Sequence, residues 1–419
     1  MRRIAALILF CLYLPAQERR TGPLTIEEAV REAIDHNLDI LVDKFNLSIA
    51  DARIITAKLR PNPVLTVGAD HLDVLGTGYN DVNTAGPSEY SIRTDFVLER
   101  GQKRTSRVAV AQGVRAVVEL QALNSIRNLI LDVQNAYAEA LLAKDSLALA
   151  QDNLASFGEI VVVNRKRVNI GDLSEVELLR TELAQLQYES AVRQANLRVR
   201  TALTKLQLLL GRTNAASLVE VTGTLRRERG KIDAEELVKT ALESRPDLRS
   251  VQRDQVRSAA EVRLQIAQGK IDYTVGTEYR RQQGLAGTGS SLGVFFSTNI
   301  PVFNKNQGEI ERATQEQRQV AARIKALAAT IQTEVETAYL QYANAQAGLD
   351  RLEGSMLLKA RDVRQIMDFS YKKGEATLVE LLDAQRAYNE TMQAYNEARF
   401  DFARSLFLLD AATGKTVIR

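Results

Sequence analysis

Tryptophan is absent from the 419 residues, cysteine occurs once, histidine twice and proline seven times, and aromatic residues make up 5%. Each shortage closes a class of function. The one cysteine, Cys11, lies in an apolar opening stretch, so a chain processed after it has no disulfide, no thiolate metal ligand and no cysteine nucleophile. His36 and His71 share no spacing that makes a metal site or a catalytic pair. There is no glycine-rich phosphate loop. Charge of one sign is missing as well: the net is +3, and Arg2 and Arg3 supply two of those charges. That leaves no basic excess for nucleic acid and no acidic tail. The inventory points away from an enzyme, a cofactor, a resident metal and a nucleic-acid partner.

Long apolar runs are also lacking. Residues 1–16 read as a secretory signal, with Arg2-Arg3 as the charged start, Ile4 to Leu14 as the apolar run and Pro15-Ala16 as the cleavage point. That run is too short to span a bilayer. Phe10 is too bulky for a lipoprotein cleavage site before Cys11, so lipidation there is not expected. No later run reaches the length of a membrane helix. An exported chain of this kind is periplasmic, extracellular or an outer-membrane β-barrel.

What the chain has in quantity is charge, at 26%, among many Ala, Leu, Gln, Glu and Arg residues, the profile of long helices. It also has itself twice. Thr25 with Glu28 three residues on is a capping box; Asp233 with Glu236 answers it 208 residues later. Gly171 and Gly374, 203 residues apart, each sit in a turn between helical runs. A period of this size is a domain-scale duplication rather than a short solenoid unit. The first repeat spans 24–223 and the second 232–419.

Within each repeat the pattern is the same. A helix (Leu38 to Arg60; Pro246 to Gln268) leads into two strand-like stretches. The strands are predicted at 64–75 and 89–99, then at 271–281 and 291–303, about the length a membrane strand needs. Tyr90, Ile92, Phe96, Tyr273, Val275, Tyr279, Val294 and Phe296 fall on the apolar side of the alternation, and His71 lies in the first strand. Glycine-rich loops, Gly76 to Pro87 and Gly284 to Ser290, join the pairs. A half-buried soluble hairpin alternates in the same way; the export signal favours lipid on one side and water on the other. A very long helix follows (Gln102 to Ile170; Gln307 to Lys373), on the order of 100 Å at ~1.5 Å per residue. It turns at glycine and returns (Leu173 to Leu210; Thr377 to Ala412). The second returning helix carries Leu381, Tyr388, Tyr395, Phe402 and Leu409 seven apart, with Ala384, Thr391, Ala398, Ser405 and Ala412 each three further on, a coiled-coil seam.

Four strands cannot close a barrel, and open edges are not tolerated in lipid. The chain must then oligomerise. A dimer would give eight strands and a filled interior, a trimer twelve strands and a lumen.

Taken together, the paired helix openings at Thr25 and Asp233, the turns at Gly101-Gln-Lys-Arg104 and Ile300-Pro-Val-Phe303, and the tips at Gly171 and Gly374 resemble the TolC family of outer-membrane efflux ducts. The resemblance covers essentially the whole mature length. Leu98-Glu-Arg-Gly-Gln-Lys-Arg104 and Asn304-Lys-Asn-Gln-Gly-Glu309 are most similar to the branch that serves cobalt–zinc–cadmium and copper–silver resistance pumps. The family's fold is mostly α with a small transmembrane β part: a trimeric twelve-stranded barrel in outer-membrane lipid and a long helical periplasmic tunnel. The resemblance implies a homotrimer that docks a periplasmic adaptor and an inner-membrane pump of the resistance–nodulation–division type. It implies docking tips at Gly171, Asp172, Gly374 and Glu375. Glu380 and Asp383 match the family's acidic ring at the periplasmic constriction, Tyr371 matches its latch tyrosine, and Glu177 is the expected latch partner. The family's latch arginine would fall at Ala376, so that part is missing. Two alternatives stay open here: a periplasmic coiled-coil scaffold or adaptor, and the exit duct of a type I secretion system. On residues alone, the carboxylates could also be simple complements to a helix N-terminus.

Overall fold

The computed structural model describes residues 22–76, 78, 88–212, 218–230, 232–284 and 287–415. The signal at 1–16, with Cys11, and most of the loop at 76–87 lie outside the described residues. Along the chain run α1 (Ile26–His36), α2 (Leu38–Lys58), β1 (Val64–Asp70), β2 (Glu89–Leu98), α3 (Lys103–Asn169), α4 (Glu175–Leu209), α5 (Ala234–Ser244), α6 (Pro246–Gln268), β3 (Tyr273–Gly284), β4 (Gly287–Thr298), α7 (Gln307–Arg351), a π-helical turn (Leu352–Met356), α8 (Leu357–Lys373) and α9 (Leu378–Thr413). The order helix, helix, strand, strand, long helix, returning helix thus occurs twice. Two compact units share these segments, and each draws on both halves of the chain. One holds residues 41–125 and 235–334; the other holds the rest.

The first unit contains an antiparallel sheet in the order β1-β2-β3-β4. Its register explains its two faces. Ile92 stands opposite Val67 and Tyr279, Phe96 opposite Val275, and Val275 opposite Phe296. Side chains alternate across a strand, so Leu65, Val67, Tyr90, Ile92, Phe96, Leu98, Tyr279, Leu292, Val294 and Phe296 share one face, and all are exposed. The opposite face is ionic. Arg93 pairs with Asp95 at 2.9 Å and lies over the Phe295 ring, and Arg280 pairs with Glu278 at 2.9 Å and Glu89 at 3.2 Å. β1 and β4 are the edges.

Several strand boundaries differ from the sequence expectation: β3 starts at Tyr273 rather than at residue 271, β4 ends at Thr298 rather than at residue 303, ahead of the turn about Pro301, and two further differences have a local cause. β1 ends at Asp70 rather than at residue 75, because His71 takes φ +56, a left-handed conformation that a continuing strand cannot hold. His71 is therefore just outside the strand. The expected glycine-rich loop at 284–290 is instead mostly strand, paired out to Gly284 opposite Gly287. Ladder hydrogen bonds are made by backbone, so Gly, Ser and Thr without apolar alternation can still extend a hairpin.

The second unit packs helices around small residues. Ala29 and Ala33 of α1, Val133, Ala136 and Ala140 of α3, Leu203 and Leu206 of α4 and its C-cap Leu210 form one buried cluster with Phe407 of α9. The Thr25–Glu28 capping box is present. Tyr137 donates to the Leu24 carbonyl at 2.7 Å from within that cluster, satisfying a buried hydroxyl. The seven-residue seam of α9 is buried at Leu381, Phe402 and Leu409, with Ala384, Ser405 and Ala412 beside them. The expected single helix from Gln307 to Lys373 is interrupted by the π turn at 352–356. There Glu353 accepts from Arg229 at 2.8 Å and from the Tyr395 hydroxyl at 3.4 Å.

Candidate gate and docking tips

The α3–α4 and α8–α9 hairpins end in matched turns. Gly171 and Gly374 adopt φ +80 and +81, the left-handed C-cap that glycine reaches without a Cβ clash. Asp172 N–H closes back on the Arg167 carbonyl at 2.8 Å, and Glu375 N–H on the Ser370 carbonyl at 2.9 Å, so the last carbonyls of each long helix are satisfied. Ser174 and Thr377 then cap the returning helices, each accepting from the backbone three residues on. Asp172 also pairs with Arg167 at 2.8 Å. Asp172 and Glu375 are both exposed at the turns.

Behind the turns lies a small apolar cluster of Phe157, Ile160, Val161, Tyr371, Leu378 and Leu381. A buried polar chain crosses it. The Tyr371 hydroxyl donates to Asn164 Oδ1 at 2.9 Å; Asn164 Nδ2 donates to Thr181 Oγ1 at 2.9 Å; Thr181 donates to the Glu177 carbonyl at 2.7 Å. Tyr371, Asn164 and Thr181 are all buried. Burial pushes the Tyr371 phenol above its usual pKa, and the nearby Glu177 charge adds to it, against the Asn164 bond and Arg167. The phenol stays protonated and able to donate.

Within one protomer the Tyr371 hydroxyl is engaged by a residue other than the expected latch partner Glu177. Tyr371 bonds to Asn164, and Glu177 joins the chain of hydrogen bonds through its backbone carbonyl. The reason is the site's dryness: a carboxylate there would lose its hydration, whereas an amide and a hydroxyl satisfy one another at lower cost. Asn164 and Thr181 were not picked out in the sequence. Their signal was a polar residue in an apolar stripe, Asn164 after Phe157, Ile160 and Val161, and Thr181 before Ala184 and Tyr188. A second buried bond, Gln385 Nε2 to Asn153 Oδ1 at 3.0 Å, joins α9 to α3 further along.

Glu380 and Asp383 are exposed on the first turns of α9, three residues apart on one face. Glu380 is also half of a capping box: it accepts from Thr377 N–H at 2.8 Å and Thr377 Oγ1 at 2.9 Å. Those two bonds hold its pKa below the usual carboxylate value. The protomer therefore presents an ionised Glu380 next to Asp383. Among the described residues no group of three or more His, Cys, Asp or Glu is arranged to hold a metal ion, and no helix is long and apolar enough to cross a membrane.

Comparison with known proteins bears on the family and the fold. The family model described as outer membrane efflux protein matches residues 29–212 and 237–415, once in each half of the chain. The cobalt-zinc-cadmium resistance protein CzcC of Cupriavidus metallidurans is 22% identical over 366 residues, 87% of this chain and 84% of that one. The outer membrane efflux protein BepC of Brucella suis is 21% identical over 427 residues, covering 98% and 89%. Among solved structures, the open-state MtrE outer membrane channel of Neisseria gonorrhoeae superposes with a TM-score of 0.74 at 16% identity, over 93% of this chain and 88% of that one, which shows a common fold. The chain, matched in both halves, belongs to the outer membrane efflux protein family.

Proposed function

We propose that the protein is a homotrimeric exit duct of a tripartite efflux system, passing cargo across the outer membrane without chemistry of its own. The observation that carries this reading is the sheet. Its exposed apolar face matches acyl chains, its ionic face matches a watery lumen, and its two unpaired edges require neighbours in lipid. Three copies supply twelve strands, enough to leave a lumen. A periplasmic scaffold would share the helices but has no use for such a sheet.

The hairpin tips at Gly171, Asp172, Gly374 and Glu375 are the proposed seat of a periplasmic adaptor, behind which an inner-membrane pump of the resistance–nodulation–division type drives export. Glu380 and Asp383 from three protomers would ring the constriction and favour cations there. One relative is named for cobalt, zinc and cadmium resistance, so metal cations are the first cargo to test, with drugs second. Outer-membrane fractionation and electrophoresis without boiling test the assembly. A heat-sensitive trimer in the outer membrane is expected; release of monomer by osmotic shock would overturn the duct.

A further inference from the structure

The apolar face of the sheet does not end where the strands end. On β4 it is carried by Leu292, Val294 and Phe296. Ile300, two residues past the strand terminus Thr298, is 78% exposed. A tight turn about Pro301, with Val302 N–H on the Ile300 carbonyl at 2.9 Å, then holds Val302 at 64% and Phe303 at 91% exposure. Lys305 follows, also exposed. Three large apolar side chains bared within four residues, continuous with an apolar face, mark a surface that something covers.

The same end of the sheet carries a cation over an aromatic ring. By alternation Arg100 continues the series Tyr90, Ile92, Phe96 and Leu98 of β2. Its guanidinium carbon lies 4.7 Å from the centroid of the Tyr273 ring, and it donates to the Tyr273 hydroxyl. Tyr273 in turn packs on Phe296, with ring centroids 5.1 Å apart. The backbone N–H of Arg100 is fixed to Asp272 Oδ1 at 2.9 Å. Asp272 also pairs with Lys103 at 2.6 Å, so the nearest carboxylate is occupied elsewhere. Among the described residues the Arg100 guanidinium has no carboxylate partner. A flat, weakly hydrated guanidinium with donors left over, at the rim of an apolar surface, suits a phosphodiester. Tyrosine at that rim suits the boundary between acyl chain and headgroup.

We propose that these two turns form a phospholipid headgroup seat: Arg100, held over Tyr273, takes the lipid phosphate, while Ile300, Val302 and Phe303 enter the acyl boundary and Lys305 stays at headgroup level. This rests on the reading that the apolar face of the sheet meets lipid. The occupant is a phospholipid of the leaflet on the helix side of the sheet. Dimensions agree. Tyr273 and Arg281 bracket eight residue steps of β3, about 27 Å along the strand and roughly 20 Å deep at a tilt of ~40°. That approaches the ~25 Å apolar band of an outer-membrane barrel. Tyr90, Tyr279 and Arg281 lie at the far end of the same face.

The lack of tryptophan makes the seat measurable, because a single substitution gives the full chain one tryptophan, which can be excited selectively over its tyrosines. Phe303→Trp reports on the seat and Val294→Trp on the sheet. Each variant is reconstituted in vesicles of phosphatidylethanolamine and phosphatidylglycerol that carry a spin label either at the headgroup or deep in the acyl chain. Val294→Trp is expected to be quenched chiefly by the deep label. Phe303→Trp is expected to be quenched chiefly by the headgroup label and shielded from aqueous iodide. If Val294→Trp responds to neither lipid label, the lipid-facing sheet is wrong and the seat falls with it. If Val294→Trp is quenched as expected but Phe303→Trp is freely quenched by iodide, only the seat is wrong. Native mass spectrometry of the intact protein with added phosphatidylglycerol tests the cation. Arg100→Gln should retain several-fold less lipid than the parent, and Arg100→Lys an intermediate amount. Equal retention by all three would overturn the role of Arg100.

Discussion

Tyr371 donates a buried hydrogen bond at 2.9 Å to Asn164, a residue 207 positions earlier in the chain. The bond ties the last turn of α8 to the α3–α4 hairpin, and Asn164 passes it on to Thr181. Removing the middle of such a chain costs more than trimming its end, because it takes away two hydrogen bonds instead of one. Tyr371→Phe removes one bond, about 1 kcal/mol; Asn164→Ala removes two, on the order of 2–3 kcal/mol, and leaves the buried Tyr371 hydroxyl without its acceptor, while Thr181 keeps its bond to the Glu177 carbonyl. Denaturation midpoints of the detergent-solubilised protein should rank parent, Tyr371→Phe, Asn164→Ala. If the chain also latches the duct, both variants raise the closed-state conductance in a planar bilayer, and Glu177→Gln, which keeps its backbone carbonyl, does not.

The sheet register makes a prediction that neighbouring residues must answer differently. Val275 stands between Phe96 and Phe296 on the apolar face, and Thr274 lies on the ionic one. Arginine at Val275 should cost roughly 2–4 kcal/mol near the bilayer midplane. Arginine at Thr274 should be tolerated. The measurement is the yield of heat-sensitive oligomer in the outer membrane; equal yields would count against this assignment of faces.

Much of this was legible because it is local. The Thr25–Glu28 cap, the tip glycines and the α9 seam are each set within a few residues, by a capping side chain, a left-handed φ or a seven-residue spacing. Alternation gave the two faces of the sheet because burial and lipid both select side chains. It failed at Gly287 to Ser290, where backbone ladder bonds hold the strand and no apolar side chain alternates. It failed again at His71, because histidine only mildly favours a positive φ and is equally at home within a strand. The Asn164 link was out of reach for another reason: it joins residues on three helices, and nothing local says which polar residue in an apolar stripe meets which.

The hairpin tips should be reachable from the periplasm. Asp172 and Glu375 are exposed, on turns whose backbone bonds are already satisfied, so photo-crosslinking residues there leave the fold intact. Crosslinks in cells are expected to capture the adaptor from both positions. Capture only of outer-membrane or cell-surface proteins would invert the proposed orientation.

The acidic pair gives the sharpest test of the duct. Glu380 is held ionised by its bonds to Thr377, with a folded pKa below the ordinary one. A carboxylate of this kind contributes its stabilisation above its unfolded pKa and loses it as pH falls through the lower folded value. The cap therefore holds through neutral pH and weakens only in acid. In the trimer, six carboxylates brought round one opening would repel, opposing that local depression and favouring bound cations. Glu380→Ala with Asp383→Ala should then abolish block of single-channel current by divalent cations and reduce cation selectivity. Glu380→Gln alone should weaken block while keeping part of the cap. Lowering the pH should relieve block in the parent and change nothing in the double variant. Wild-type block in the double variant would move the constriction to another part of the chain.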